Sequence, residues 1–252
     1  MKKGIIITGV SGDIGRSLAK AFKLSGWFVV GIDIKELKEN KADFYYDKFY
    51  NFDLSYSINK PEIFKNLVKN IKLEIAHNEY SLHGIINNAA IQIVKPFEII
   101  DTKDWMNLFA VNFFAPVELS KAFLDDLSKN NGSILNIGSI HRELTKPFFS
   151  AYATSKSALA GLTKSLAVEF GDKIRVNAIE PAAVETSMLK AGFEDHPDEL
   201  KKLADFHPSK RIGKPEDISK AALFLMSSEQ KFINGTILKV SGGINCRLHD
   251  SL

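Results

Sequence analysis

Tyr152 and Lys156 stand four residues apart in Tyr152-Ala153-Thr154-Ser155-Lys156. On a helix that spacing puts the phenol and the ammonium on one face. A free tyrosine has a pKa near 10, so only about one phenol in a thousand is ionised at pH 7. A cation held close favours the ionised form. Bringing the pKa to about 7 takes roughly 4 kcal/mol of differential stabilisation. Tyr152 then becomes a general acid/base for a hydroxyl or carbonyl. The spacing alone is common on helix surfaces, and Ser139, 13 residues earlier, gives it meaning. A hydroxyl there would hold a substrate oxygen against the phenol.

A second chemistry lies near the start. Thr8-Gly9-Val10-Ser11-Gly12-Asp13-Ile14-Gly15 follows a short β-branched run, Gly4–Thr8, and leads into Ile14, Leu18, Ala21 and Phe22 at helical spacing. Glycines there allow a tight turn and close approach of a phosphate, and the helix N-terminus offers unpaired N–H groups and a positive dipole end. A lone glycine cluster is a weak signal. Between the first strand and first helix of an alternating chain it points to a dinucleotide. Asp33 ends the next strand-like run, 24 residues after Gly9. A carboxylate there binds both ribose hydroxyls of an adenosine. It also repels a 2′-phosphate, by about 4 kcal/mol per unit pair at roughly 4 Å and an effective dielectric near 20. This predicts NAD over NADP, with Lys35 the neighbouring cation that opposes the preference. The charge of a bound nicotinamide would supply part of the tyrosine stabilisation.

These groups need a scaffold. Strand-like runs at Gly4–Thr8, Trp27–Asp33, Phe49–Leu54, Leu82–Ile86, Ser133–Ile137, Ile174–Ile179 and Thr236–Val240 alternate with helical stretches, among them Pro61–His77, Asp104–Leu127, Ala151–Phe170 and Pro215–Met226. The alternation predicts an α/β fold: a Rossmann-type, doubly wound parallel sheet of about seven strands with helices on both faces. Ser139 then falls just beyond the fifth strand, where parallel sheets place ligand-facing residues. Residues 1–252 read as a single dinucleotide-binding catalytic domain. Ser187–Ser209, with mixed signals, reads as a loop or short-helix region over the substrate, and Lys35–Tyr50 as the most irregular part of the first half.

The composition excludes several classes. The hydrophobic fraction of 45% is that of an ordinary globular protein, and the net charge of +3 is spread among acids, so no basic stripe argues for nucleic acid. No stretch approaches the length of a membrane span. Lys2 and Lys3 before Gly4–Ile7 imitate a signal peptide, but no small-residue cleavage site follows, so the expectation is a cytoplasmic protein. The single cysteine, Cys246, rules out an intrachain disulfide. His196 and His207 have no ligand-spaced partners, so no metal is expected.

The ordered motifs resemble the short-chain dehydrogenase/reductase family, in its compact branch, over nearly the whole chain. Thr8–Gly15 resembles the cofactor turn, Asp53-Leu54 the pair that touches adenine, and Asn87-Asn88-Ala89-Ala90 the stretch after the fourth strand. Asn112, Ser139, Tyr152 and Lys156 match the catalytic set. Pro181-Ala182-Ala183-Val184-Glu185-Thr186 resembles the segment contacting nicotinamide, and Arg211–Asp217 the start of a late structural helix. The resemblance implies an oxidoreductase interconverting a secondary alcohol and a carbonyl with NAD(P). In it Tyr152 exchanges the proton and Ser139 positions the substrate. Lys156 binds the nicotinamide ribose and lowers the tyrosine pKa, and Asn112 supports a water relay. It implies contacts to the cofactor from Thr8, Gly9, Ser11, Gly12, Asp13, Ile14, Gly15, Asp33, Asp53, Leu54, Asn88, Ala89, Ala90, Pro181, Ala182, Val184 and Thr186. It also implies a homodimer or homotetramer through the helices at Asp104–Leu127 and Ala151–Phe170.

Three departures stand out. Asp13 occupies a usual glycine position, the glycine having moved to Gly12, and reads as a local variation that further disfavours a 2′-phosphate. Ala90 and Ala182 each replace a glycine. The shifted spacing resembles sugar-nucleotide epimerases and dehydratases, which form one alternative reading. A non-catalytic NAD-binding regulator forms another. For the substrate, a small alcohol or carbonyl, His141 joins Ser139 and Tyr152 as a candidate contact. Arg142 beside it is placed to meet an anion, and Gln92 and Glu185 also face the expected pocket. Met188, Leu189, Phe193 and Phe206 could form an apolar lid.

Overall fold

The computed structural model describes residues 2–36, 45–193 and 197–248. Seven parallel strands form one sheet in the order β3-β2-β1-β4-β5-β6-β7. They are β1 (Lys3–Thr8), β2 (Phe28–Asp33), β3 (Lys48–Asn51), β4 (Ser81–Asn87), β5 (Ser133–Ile137), β6 (Arg175–Pro181) and β7 (Ile237–Val240). The order reverses between β1 and β4, which opens a crevice at their carboxyl ends, where such sheets bind ligands.

Strand alternation divides the core. Ile6, Val30, Ile32 and Ile85 point to one face and pack with Phe64, Leu67 and Ile71 of α3 (Pro61–His77) and Leu119 and Phe123 of α5 (Ala115–Lys129). Ile5, Ile7, Val29, Ile86 and Leu135 point to the other and meet Leu18 and Phe22 of α1 (Asp13–Leu24) and Ile218, Ala222 and Leu225 of α9 (Pro215–Met226). Apolar residues on both faces of β1 leave no solvated side, as a parallel sheet covered by helices requires.

The helical stretch expected over Asp104–Leu127 is not one regular helix. It consists of α4 (Thr102–Phe109), a π-helical turn over Ala110–Phe114, and α5. Pro116 has no N–H to donate to Asn112 O, and its ring crowds that carbonyl. The chain responds with a wider turn, in which Ala115 N–H reaches Ala110 O. The short helix α2 (Tyr56–Asn59) precedes α3. The irregular stretch expected at Lys35–Tyr50 lies partly outside the described residues, and β3 begins within it at Lys48. The region 187–209 holds two short helices, α7 (Ser187–Ala191) and α8 (Pro197–Phe206), and α6 spans Ser150–Glu169. No helix among the described residues is long and apolar enough to cross a membrane.

Gly9 and Gly15 allow β1, α1 and the loop after β4 to meet. Gly9 has φ 66°, and a Cβ on it would lie 2.8 Å from Ala89 Cα. A Cβ on Gly15 would lie 2.0 Å from Gly9 O. Gly15→Ala is therefore expected to lower stability by about 1–3 kcal/mol, the usual cost of overpacking. Urea denaturation checks this, and an unchanged midpoint would contradict the close packing.

Candidate active site

The cofactor turn leaves β1 at Thr8, whose buried hydroxyl accepts Asn88 N and Ala89 N, each at 3.0 Å. Asn88 Nδ2 returns bonds to Thr8 O and Gly9 O. The loop after β4 is thereby tied to the turn. No side chain caps α1 at Gly12, so its first N–H groups stay available to an anion. At the end of β2, Asp33 accepts Ser11 N at 3.0 Å, while Ser11 Oγ donates to Lys35 O at 2.7 Å. Asp33 thus stands against the turn. Bare backbone at Gly9 and Gly15, an uncapped helix start and a carboxylate at the second strand end fit a dinucleotide.

Other expected cofactor residues are placed unevenly. Asp53 accepts Ser55 N, and the Leu54 side chain is buried in the core under α3, leaving only its backbone for a ligand. Ala182 N donates to Val240 O, Val184 bridges Gly213, and Thr186 caps α7 through its hydroxyl. These hold the segment after β6 at the same carboxyl edge as the turn. Ala90 lies half-buried in the loop after β4. Asp13 is more than a local variation: its carboxylate pairs with Arg16 and accepts Ser187 N at 2.7 Å. Burial works to raise its pKa, but the bonds from Ser187 and Arg16 outweigh this and hold it below the ordinary carboxylate value. The turn is therefore fastened to the first residue of α7, a contact the sequence did not reveal.

Ser139 follows β5, and its hydroxyl accepts His141 N at 3.2 Å. Tyr152 and Lys156 share one face of α6, with Nζ 5.7 Å from the phenol ring centroid. Burial pushes the Tyr152 phenol above its usual pKa, and a hydrogen bond with Ser139 draws it partly back. Lys156 is 2% exposed and donates from Nζ to Ile137 O at 2.8 Å. Burial pushes it down from 10.5 to about 8. Burial governs both groups and disfavours the charge on each.

The Lys156 shift has a sign that can be tested. Below pH 8 the folded protein bears the cost of a buried charge. Between pH 8 and 10.5 the unfolded chain binds more protons than the folded one, so stability rises with pH through that window, by up to about 3 kcal/mol. Relative to Lys156→Met, wild type is expected to gain stability across this range. A difference in urea stability that stays flat with pH would contradict the burial.

Asn112 lies in the π-helical turn, a feature frequent at functional sites. Its Oδ1 accepts Ile91 N, and its Nδ2 donates to Ile91 O and Ser155 Oγ. The side chain braces the loop after β4 against α6, so only its remaining acceptor capacity and its backbone are left for a water. His141 stacks on Phe149 at 4.5 Å, and its ring lies edge-on to Tyr152 at 5.8 Å. Burial, with Lys146 nearby, lowers its pKa to about 4, so it is neutral at pH 7. Phe148 takes a left-handed backbone, φ 72°, and its carbonyl accepts Lys95 N, joining the loop after β4 to the loop after β5.

Arg142 does not stand ready for an anion. Its guanidinium is engaged by Glu180 and Glu143. Glu180, 1% exposed near the end of β6, went unnoticed in the sequence, although one carboxylate in Val176-Asn177-Ala178-Ile179-Glu180-Pro181 was a signal. Glu185 is paired with Lys190. Met188 and Phe206 in the expected lid are substantially exposed, and Leu189 and Phe193 half-buried. His207 is buried with Nδ1 against Leu203 O, and His196 lies outside the described residues. Among the described residues, no three histidine, cysteine or acidic side chains cluster as metal ligands.

A family model described as enoyl-(acyl carrier protein) reductase matches residues 9–245. The chain is similar to 7alpha-hydroxysteroid dehydrogenase of Escherichia coli, with 31% identity over 96% of this chain and 93% of that one. It is similar in structure to ligand-free aldohexose dehydrogenase of Thermoplasma acidophilum, with a TM-score of 0.90 and 31% identity over 100% of this chain and 97% of that one. A structure of ElxO with NADP bound matches at TM-score 0.84 and 27% identity, covering 98% and 100%. With a family model matched over nearly the whole chain and relatives of 31% identity covered almost end to end, the chain belongs to the short-chain dehydrogenase/reductase family of oxidoreductases.

Proposed function

We propose that this protein interconverts a secondary alcohol and the matching carbonyl on a small molecule, with NAD preferred over NADP. We further propose that residues 1–252 act as one catalytic domain, with 187–209 bordering the substrate. The convergence of Ser139, Tyr152 and Lys156 after β5, at the carboxyl edge of the sheet that also carries the glycine turn, carries this reading. Named relatives acting on a hydroxysteroid and an aldohexose support the class.

The turn Thr8–Gly15 and Asn88–Ala90 would hold the dinucleotide phosphates and adjoining ribose. Asp33 would take the adenosine ribose, Asp53-Leu54 the adenine, and Pro181, Ala182, Val184 and Thr186 the nicotinamide end. When bound, the dinucleotide supplies the hydride acceptor and a positively charged ring. Ser139 holds the substrate oxygen. Tyr152 removes the alcohol proton, or returns it to the carbonyl in the reverse direction. Lys156 would bind a ribose hydroxyl of the nicotinamide half and bring positive charge toward the phenol. Asn112 steadies the loop beside it. His141, neutral and stacked on Phe149, meets the substrate as an uncharged hydrogen-bonding group. Activity is accordingly expected to show no titration near pH 6.5 from this imidazole, and a limb there that disappears in His141→Phe would contradict its burial.

Self-assembly as a homodimer or homotetramer is part of the proposal. Met106 on α4 and Val168 on α6 are 56% and 87% exposed, apolar surface on the helices expected to pair. The function itself is tested by following NADH formation from NAD and a panel of polyols, sugars and hydroxysteroids. Wild type should turn over a member of the panel. Bound NADH without turnover would favour the regulatory alternative, and a net epimerised or dehydrated nucleotide sugar the other.

A further inference from the structure

We propose that the Arg142–Glu180 ion pair is a positioning element of the reaction centre: it fixes the turn carrying Ser139 and His141 against the end of β6, and so places the Ser139 hydroxyl opposite Tyr152.

Glu180 and Arg142 are held by chemistry that the proton transfer does not use. The Glu180 side chain is 2% exposed and that of Arg142 20% exposed. A carboxylate carried so far from water is tolerated only when paired. Arg142 answers with both prongs of its fork, Nε to Oε1 and Nη2 to Oε2, the latter at 3.1 Å. A two-point bond of this kind fixes orientation as well as distance. Arg142 Nη2 also reaches Glu143 Oε1 at 2.7 Å, and Lys239 of β7 pairs with Glu143. Four alternating charges thus run from β6 across the turn to β7 and sum to zero.

The turn is held on both sides of Ser139. Before it, Gly138 N donates to Ile179 O at 2.8 Å, and a Cβ on Gly138 would come within 3.0 Å of Glu180 Cγ. After it, Arg142 is clamped to the same Glu180. Between these points His141 N donates to Ser139 Oγ, and the His141 ring stacks on Phe149 and lies edge-on to Tyr152. The Arg142 fork ties the end of β6 to the segment that supplies the His141 N–H, and it acts beside the turn's own bond from Arg142 N to Ser139 O, the His141 stack on Phe149 and the Lys239–Glu143 pair. Around the Tyr152 phenol stand Ser139, His141 and Lys156, with Lys146 beyond His141, and of these Ser139 and His141 are carried on the clamped turn. Glu180 and Arg142 do not touch the reacting atoms and act through Ser139.

The proposal rests on Tyr152 being the proton-transfer group, and its test does not require turnover. The full-length protein is labelled at tyrosine 13Cζ, and the Tyr152 signal among the 6 tyrosines is identified by its loss in Tyr152→Phe. Glu180→Gln, which keeps shape but not charge, and the milder Arg142→Lys, which keeps charge but not the fork, are expected to displace the Tyr152 signal and leave the other five in place. The double variant Arg142→Met with Glu180→Met, apolar at both positions, is expected to recover stability but not the Tyr152 signal. With any alcohol that wild type oxidises, kcat/KM is expected to fall about ten- to a hundredfold. A Tyr152 signal unmoved in the folded single variants, or restored in the double variant, would overturn the proposal and leave the pair a packing feature. A failed hydride assay would instead count against the oxidoreductase reading and leave the spectrum to decide the clamp.

Discussion

Tyr152→Phe is expected to lower kcat by about 10²- to 10⁴-fold, the usual contribution of a positioned acid/base. The variant removes one oxygen and keeps the ring that packs edge-on against His141 and Phe149. Ser139 Oγ loses its bond with the phenol but still accepts the His141 N–H, so it is not left without a partner. Folding should therefore survive, and the NADH dissociation constant should stay within about twofold, because the loss falls on the transition state and not on ground-state binding. Steady-state kinetics beside an NADH fluorescence titration separates the two. A variant keeping more than about a tenth of wild-type kcat would remove Tyr152 from the proton-transfer role.

The second large effect concerns the cofactor. Asp33→Asn is expected to raise the ratio of kcat/KM for NADP to that for NAD by about 10²- to 10³-fold. The scale comes from about 4 kcal/mol of repulsion per unit pair near 4 Å, somewhat screened at the crevice mouth. The variant keeps an oxygen able to accept Ser11 N, the bond that now holds the Asp33 carboxylate against the turn. The structurally similar ElxO is solved with NADP bound, so an overall fold of this kind does not itself exclude a 2′-phosphate. A wild-type protein faster with NADP would sink the assignment and point to Lys35 as the deciding group.

The fold was legible where sequence pattern and local physics agree. Pro61–His77 and Pro215–Met226 begin on a proline suited to a first helical turn, and their observed bounds match the expected ones. The interruption at Ala110–Phe114 was not legible from periodicity, which does not register one wider turn. Pro116 was the available signal. Tyr152, Lys156, Ser139 and the glycine turn could be named because their residue types and order are specific. Their electrostatics could not, because spacing says nothing of burial. It was burial that raised the phenol and lowered the ammonium. The Asp13–Ser187 and Arg142–Glu180 contacts join residues far apart in the chain, and no local rule predicts which acid meets which partner.

The central claim is hydride exchange at a secondary carbinol carbon, dependent on Tyr152. Incubating the protein with NADH deuterated at the nicotinamide C4 and a panel of ketones, ketosugars and ketosteroids tests it most directly, with the products read by mass spectrometry. The account predicts an alcohol carrying one deuterium on the former carbonyl carbon, formed by wild type and lost in Tyr152→Phe. No deuterated alcohol across the panel, from protein that binds NADH and is folded, would contradict it.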